Sequence, residues 1–101
     1  VDVMDVSTGG IMSGVSSPVK PNYQVPFSEQ VKAKADIPVT AVGLITKPKQ
    51  AAKILAHGEA DAVEIGRAAL RDPYWPLRAA NKLGIPSTEI PYAPQYVAGA
   101  Y

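Results

Sequence analysis

This chain has no cysteine, one histidine and almost equal numbers of acidic and basic residues, and each of these features excludes a class of protein. Without cysteine there is no disulfide, thiolate metal site or cysteine nucleophile, and such a composition fits a cytoplasmic protein. Ten lysines and arginines against nine aspartates and glutamates give a net charge of +1, which argues against a nucleic-acid partner or a polybasic membrane patch. No apolar run approaches the roughly 18 residues of a membrane span, and no metal-ligand cluster or nucleotide-binding glycine motif is present.

The length of the chain allows one domain, residues 1–101. The chain opens on "VDVMDV", which already has the pattern of a strand and lacks the basic segment that begins a signal peptide. Because the first residues resemble part of a core element, we expect this chain to be part of a longer protein.

Eight glycines and ten prolines divide the chain into alternating strand-like and helix-like segments. Strands alternating with helices at this spacing predict an α/β fold with parallel strands, in about three β/α units. Three units are too few for a closed barrel or a broad doubly wound sheet, which again suggests that further units exist. The predicted strands cover 1–7, 37–45 and 60–66, the predicted helices cover 27–35, 46–58, 67–71 and 74–84, and the tail after residue 84 is predicted to be extended.

Two of the predicted helices carry apolar stripes that indicate their buried faces. In the first helix the stripe begins at Phe27, and in the second it includes Ile54 and Leu55. Thr46 stands just before the second helix and is the candidate N-cap.

The segment "DAVEIGRAALRDPYW" places Gly66 and Arg67 where the third strand passes into a helix. A glycine at a strand end lets backbone approach a ligand, a helix start offers free N–H groups, and arginine adds donors suited to phosphate oxygens. Gly43 ends the preceding strand at the equivalent level. These residues favour a phosphate site, although turn geometry alone would explain the glycines, and Arg67 could instead pair with Asp72.

Beyond this local pattern, several longer segments carry a family resemblance. The segments "DVSTGG", "YQVPF", "AVGLIT", "ADAVEIGRAALRDPYWPLRAA" and "APQY" occur in order between residues 1 and 96. They resemble the last portion of flavin-dependent NADPH dehydrogenases of the old yellow enzyme family, in the subclass of bacterial ene-reductases and xenobiotic reductases. The resemblance implies the C-terminal part of a (β/α)8 TIM barrel that holds FMN at the carboxyl ends of its strands.

The same resemblance implies specific roles for four residues. Gly66 would offer a backbone N–H to the flavin phosphate and Arg67 a charged clamp, while Gly43 would face the phosphate with its backbone. Ser7 would lie close to the same group. The family's substrate-activating residues come from earlier strands, so no catalytic residue is assigned here and the isolated chain should be inactive.

For the whole enzyme, the resemblance implies that NAD(P)H reduces FMN and that an activated alkene is the small-molecule substrate. The remainder of the barrel would then be the partner of this chain. Two alternatives stay open on the sequence alone. The chain could belong to another phosphate-binding β/α-barrel enzyme, or it could be a catalytically inactive module that forms a homo-oligomer through exposed sheet edges.

Overall fold

A computed structural model describes residues 1–9, 12–16 and 18–101, in which strands and helices alternate along the chain. None of the helices in these ranges has both the length and the apolar character needed to cross a membrane. The elements are β1 Met4–Val6, α1 Val25–Lys34, β2 Val39–Ala41, α2 Pro48–Ala56, β3 Ala62–Val63, α3 Arg67–Arg71, α4 Trp75–Lys82 and two 3₁₀ helices, Ser87–Glu89 and Pro94–Gly99.

The strands form one parallel sheet in the order β1-β2-β3. Val6 is paired with Ala41, and Ala41 is paired with Val63, so the three strands end at nearly the same level. The predicted α/β fold with three parallel strands is therefore confirmed. Across the described residues the sheet is open, and the closed barrel implied by the resemblance is not formed by this chain alone.

The strands are shorter than predicted, with three, three and two residues. For the second strand the reason lies in the backbone after Ala41. Gly43 has a φ of +130° and Leu44 a φ of +49°, and both values take the chain out of the extended region. The apolar run "VTAVGLI" therefore continues beyond the hydrogen-bonded ladder.

Most helices lie close to the predicted ranges, and α3 spans the predicted residues 67–71. The prediction of Thr46 as N-cap is wrong, because Lys47 occupies that position and the amide groups there are capped from within α2. The Oε1 of Gln50 accepts hydrogen bonds from the backbone N–H of Thr46 at 3.0 Å and of Lys47 at 3.3 Å. Gln50 thus satisfies N–H groups at the N-cap and just before it, whereas a threonine cap would accept from an N–H group one or two residues inside the helix.

The sequence predicted an extended tail after residue 84, but the structure shows two short 3₁₀ helices in it. Its two short 3₁₀ helices close with backbone bonds such as that from Glu89 N to Pro86 O at 2.9 Å and that from Tyr96 N to Ala93 O at 2.8 Å. Proline fixes φ near the helical value and can stand at the start of such a turn. The prolines of the tail therefore start short turns instead of keeping the chain extended.

The core lies between the sheet and the helices, and Ile54 and Val39 are fully buried in it. The predicted burial of two side chains is wrong, since Phe27 is 46% exposed and Leu55 is 43% exposed. In α1 the buried face is shifted, because Ser28 is buried and donates from Oγ to Val25 O at 2.8 Å. The core residues are Val6, Val25, Val39, Ala41, Ile45, Ala51, Ile54, Ala60, Ala68, Trp75 and Ala79.

Asp61, just before β3, joins this strand to its neighbour and to α1. Its carboxylate accepts a hydrogen bond from Lys32 Nζ at 2.7 Å and another from Val39 N at 3.0 Å. The bond from Lys32, followed by that from the Val39 amide, holds the pKa of Asp61 below its ordinary value. The folded state therefore favours the charged form of this carboxyl group.

We expect this lowered pKa to make the Asp61 interaction sensitive to acid. Its stabilisation is complete above the pKa in the unfolded chain, roughly 4, and is lost as the pH falls through the lower folded value. Asp61→Asn should be less stable than wild type at pH 7, and the difference should shrink at acid pH in urea titrations. Lys32→Met, which removes the main partner, should reduce the same acid dependence. Parallel pH profiles for wild type and Asp61→Asn would contradict this assignment.

Candidate functional site

The carboxyl ends of the three parallel strands meet at one edge of the sheet. Ser7 directly follows β1, Gly43 follows β2, and Gly66 follows β3. A cleft of about 180 Å³ lies at this edge and is lined by Gly43, Gly66 and Arg67, among others. We call it the anion cleft. The structure thus brings three of the four predicted site residues together.

Gly43 is held against the loop that precedes α1. A Cβ atom at this position would lie 3.1 Å from Gln24 N and 3.2 Å from Tyr23 Cδ1. The carbonyl of Gly43 accepts a hydrogen bond from Asn22 N at 2.9 Å. Packing of this loop and the positive φ therefore both require glycine here, independently of any ligand.

Gly66 has the opposite surroundings. A Cβ atom built there meets no described atom within 4 Å, so the space in front of this backbone is open. Its carbonyl accepts from Ala69 N at 3.0 Å and Leu70 N at 3.2 Å and so begins α3. The N–H groups at the start of this helix, those of Arg67 and Ala68, have no acceptor within the helix.

The guanidinium of Arg67 is not used by the fold. The pairing of Arg67 with Asp72 that the sequence left open is wrong, because Asp72 Oδ2 accepts from Arg78 Nε at 2.6 Å and pairs with Nη2 of the same residue. Within residues 1–9, 12–16 and 18–101, no ion pair involves Arg67, and its side chain is exposed at the cleft. It is therefore available to a ligand.

The Asp72–Arg78 pair connects the end of α3 to α4 and gives a test of that arrangement. Both side chains are about 30% exposed, at 29% and 31%, and Asp72 Oδ1 also accepts from Tyr74 N at 3.2 Å. Arg78→Met should lower the free energy of unfolding by about 1–2 kcal/mol, since it breaks a charged hydrogen bond in partly screened surroundings. Urea titration measures the effect. Arg71→Met, at an exposed site, is the control, and an equal loss in both variants would show that the pair contributes nothing.

One carboxylate also lines the anion cleft. Glu64 follows β3, and its Oε1 accepts a hydrogen bond from Thr40 Oγ1 on β2. This bond ties the side chain to the neighbouring strand. Glu64 thus holds the two strands together at the edge of the cleft.

The fourth predicted residue, Ser7, lies in a neighbouring cleft of about 340 Å³. We call it the Ser7 cleft. It shares Val19, Tyr23 and Gln24 with the anion cleft, so the two spaces adjoin along the loop before α1. The structure therefore places Ser7 beside the other three residues but not in the same cleft.

Gln24 also lines the candidate site, although its own residue type did not point to it in the sequence. It is 5% exposed, and its Oε1 accepts from Thr8 Oγ1 at 3.1 Å and from the backbone N–H of Thr8. It lines both clefts. Only the fold brings residues 8, 24 and 43 together, and the one signal in the sequence was the family-like segment "YQVPF" around it.

His57, the single histidine, ends α2 as its C-cap residue. Its Nδ1 lies 3.6 Å from Glu59 Oε1, and it lines neither cleft. His57 is therefore a helix-end residue, and its side chain lies outside the candidate site.

Comparison with known proteins identifies relatives of this chain. A sequence model of the NADH:flavin oxidoreductase / NADH oxidase family matches residues 2–85. The chain is 49% identical over 85 residues to the NADPH dehydrogenase of Geobacillus thermodenitrificans (strain NG80-2). The aligned segment covers 84% of this chain and 25% of that protein. The chain is 46% identical over 99 residues to the NADPH dehydrogenase of Geobacillus sp. (strain WCH70), covering 98% of this chain and 28% of that protein. The chain thus spans about a quarter of the length of these relatives.

Proposed function

Because this chain belongs to the NADH:flavin oxidoreductase / NADH oxidase family, we propose that it supplies the FMN phosphate site of a longer NAD(P)H oxidoreductase of the ene-reductase type. The observation that supports this most is the meeting of Gly43, Gly66 and Arg67 at one cleft beyond the carboxyl ends of parallel strands. Ligands of parallel α/β folds bind at this end of the sheet.

The groups in the anion cleft suit a phosphate. The N–H groups at the start of α3 and the guanidinium of Arg67 are all hydrogen-bond donors, and the arginine fork matches phosphate oxygens. Gly66 leaves open space in front of its backbone, so a phosphate group can approach the amides closely. Bound FMN would supply the hydride chemistry between NAD(P)H and the substrate. The residues of this chain would bind and orient its anionic end.

We further propose that the three β/α units are the last part of a (β/α)8 barrel. In the described sheet, β1 and β3 each pair with β2 alone, so each has one edge free of a neighbouring strand. The relatives are about four times as long as the matched segment, which is enough chain to supply the remaining strands. The remainder of the barrel would carry the groups that activate an alkene such as an α,β-unsaturated carbonyl compound.

The experiment uses an assembled enzyme, in which this chain replaces the matching segment of the Geobacillus sp. (strain WCH70) NADPH dehydrogenase. We expect it to purify with the yellow colour of bound flavin and to oxidise NADPH in the presence of an α,β-unsaturated ketone. The unmodified relative is the control for folding and activity. A folded assembled enzyme that takes up no FMN would overturn the proposal. One that binds a sugar phosphate as tightly as FMN would favour another phosphate-binding barrel enzyme.

A further inference from the structure

Gln24 stands at the boundary between the anion cleft and the Ser7 cleft. It precedes α1 as its N-cap residue, and its backbone packs against Gly43, whose Cβ position lies 3.1 Å from Gln24 N. Its side chain reaches Thr8, next to the predicted site residue Ser7. One residue therefore connects the ends of β1 and β2 at the level of the proposed phosphate site.

The hydrogen bonds of Gln24 fix the orientation of its amide group. The backbone N–H of Thr8 is a donor and requires an acceptor, so the amide oxygen, Oε1, must face Thr8. The hydroxyl of Thr8 donates to the same oxygen at 3.1 Å. The amide nitrogen, Nε2, is then directed away from Thr8 with two hydrogens to donate.

This nitrogen has no acceptor among the residues that the structure describes. In the same residues, every side-chain nitrogen or oxygen that is completely enclosed does have a partner. Nε2 must therefore retain a small open surface, although the residue as a whole is 5% exposed. The open space that Gln24 borders is that of the two clefts. A largely buried amide donor at the edge of a cleft, without an acceptor in the described part of the chain, is typical of a ligand contact.

We propose that Gln24 is a further cofactor-binding residue, whose Nε2 donates to a phosphate oxygen of FMN while Oε1 holds the end of β1 beside the cleft. The inference rests on the proposed function and adds a donor that neither the sequence nor the family comparison assigned. It also gives Ser7 a defined place, because the tether to Thr8 fixes the end of β1 next to the anion cleft.

Gln24→Glu in the assembled enzyme tests this assignment. The carboxylate can still accept from Thr8, but it has lost the amide donor and places a negative charge beside the phosphate. We expect the Kd for FMN to rise roughly 30-fold, in line with the loss of one hydrogen bond to a charged group. The Kd for riboflavin, which has no phosphate, should stay within about twofold. Quenching of flavin fluorescence measures both values, and Gln30→Glu, which adds the same charge at an exposed position of α1, should change neither.

Because the added charge alone would also weaken FMN more than riboflavin, the neutral variant Gln24→Met, which removes the amide donor without adding charge, is measured beside it and should show an FMN-selective loss as well. Equal weakening of FMN and riboflavin in Gln24→Met, or no change in either, overturns the inference. If the variant does not fold, the side-chain NH₂ resonance of Gln24 in the unmodified assembled enzyme gives the answer. It should shift with FMN and not with riboflavin, and the absence of that difference overturns the inference. Failure of the proposed function itself is recognised separately, because FMN would then show no preference over riboflavin even with Gln24 and Arg67 intact.

Discussion

Arg67→Gln in the assembled enzyme is expected to raise the Kd for FMN about 100-fold and to leave the Kd for riboflavin within about twofold. Arginine and phosphate form two parallel, charge-assisted hydrogen bonds, and glutamine replaces them with at most one neutral bond. A loss of about 2.7 kcal/mol, which corresponds to a factor of 100, is within the range for hydrogen bonds to charged groups. The fold should be unaffected, because the Arg67 guanidinium makes no ion pair among the described residues.

Arg71→Gln is the matched control for this prediction. Arg71 ends the same short helix and is exposed, but it does not line the anion cleft. The substitution Arg71→Gln removes the same charge from the same helix, so any general electrostatic effect on an anionic ligand appears in both variants. Equal losses of FMN affinity in the two variants would contradict a specific clamp at Arg67. An equal loss of FMN and riboflavin affinity in Arg67→Gln would mean that the arginine supports the fold of the site.

Gly43→Ala should lower the free energy of unfolding of this chain by roughly 2–6 kcal/mol. Two costs add up at this position. An alanine at the observed φ of +130° is strained by about 1–3 kcal/mol, and its Cβ would press on Gln24 N and Tyr23 Cδ1 at 3.1 and 3.2 Å. Relief of that contact requires a shift of the loop before α1, which overpacked sites typically make at a cost of about 1–3 kcal/mol.

The control for Gly43 is Gly84→Ala. Gly84 also has a positive φ, +84°, but no described atom lies within 4 Å of its Cβ position. It should therefore show the backbone strain alone, about 1–2 kcal/mol. Urea titration followed by the fluorescence of Trp75, the single tryptophan and a buried one, measures both variants. Equal losses would show that the contact with the loop contributes nothing at Gly43.

Much of the fold could be read from the alternation of apolar and polar segments. Parallel strands, the short helix of residues 67–71 and the burial of Ile54 all follow from local pattern. The exposure of Phe27 and Leu55 did not, because an apolar residue at the border of a helix stripe is buried only if a neighbouring element covers it. The length of the second strand also could not be predicted, since its ladder ends where the backbone leaves the extended region at Gly43 and Leu44.

The candidate site divides in the same way. Gly43, Gly66 and Arg67 could be proposed from sequence because each stands at a strand end, and parallel strands bring such ends together. Gln24 could not, because it lies in a loop and its partner Thr8 is 16 positions away along the chain. The sequence pattern also explains the glycine at position 43 only in part, because the loop that packs on it already requires a residue without a side chain.

The two cleft glycines differ in what would keep them unchanged over generations. In a population of variants selected only for being folded, position 43 would remain glycine, whereas position 66, with its empty surroundings, would soon accept alanine or serine. Selection for cofactor retention would reverse that tolerance at position 66 alone. Deep mutational scanning under these two selections would thus separate the glycine that serves the scaffold from the one that we propose to serve the ligand.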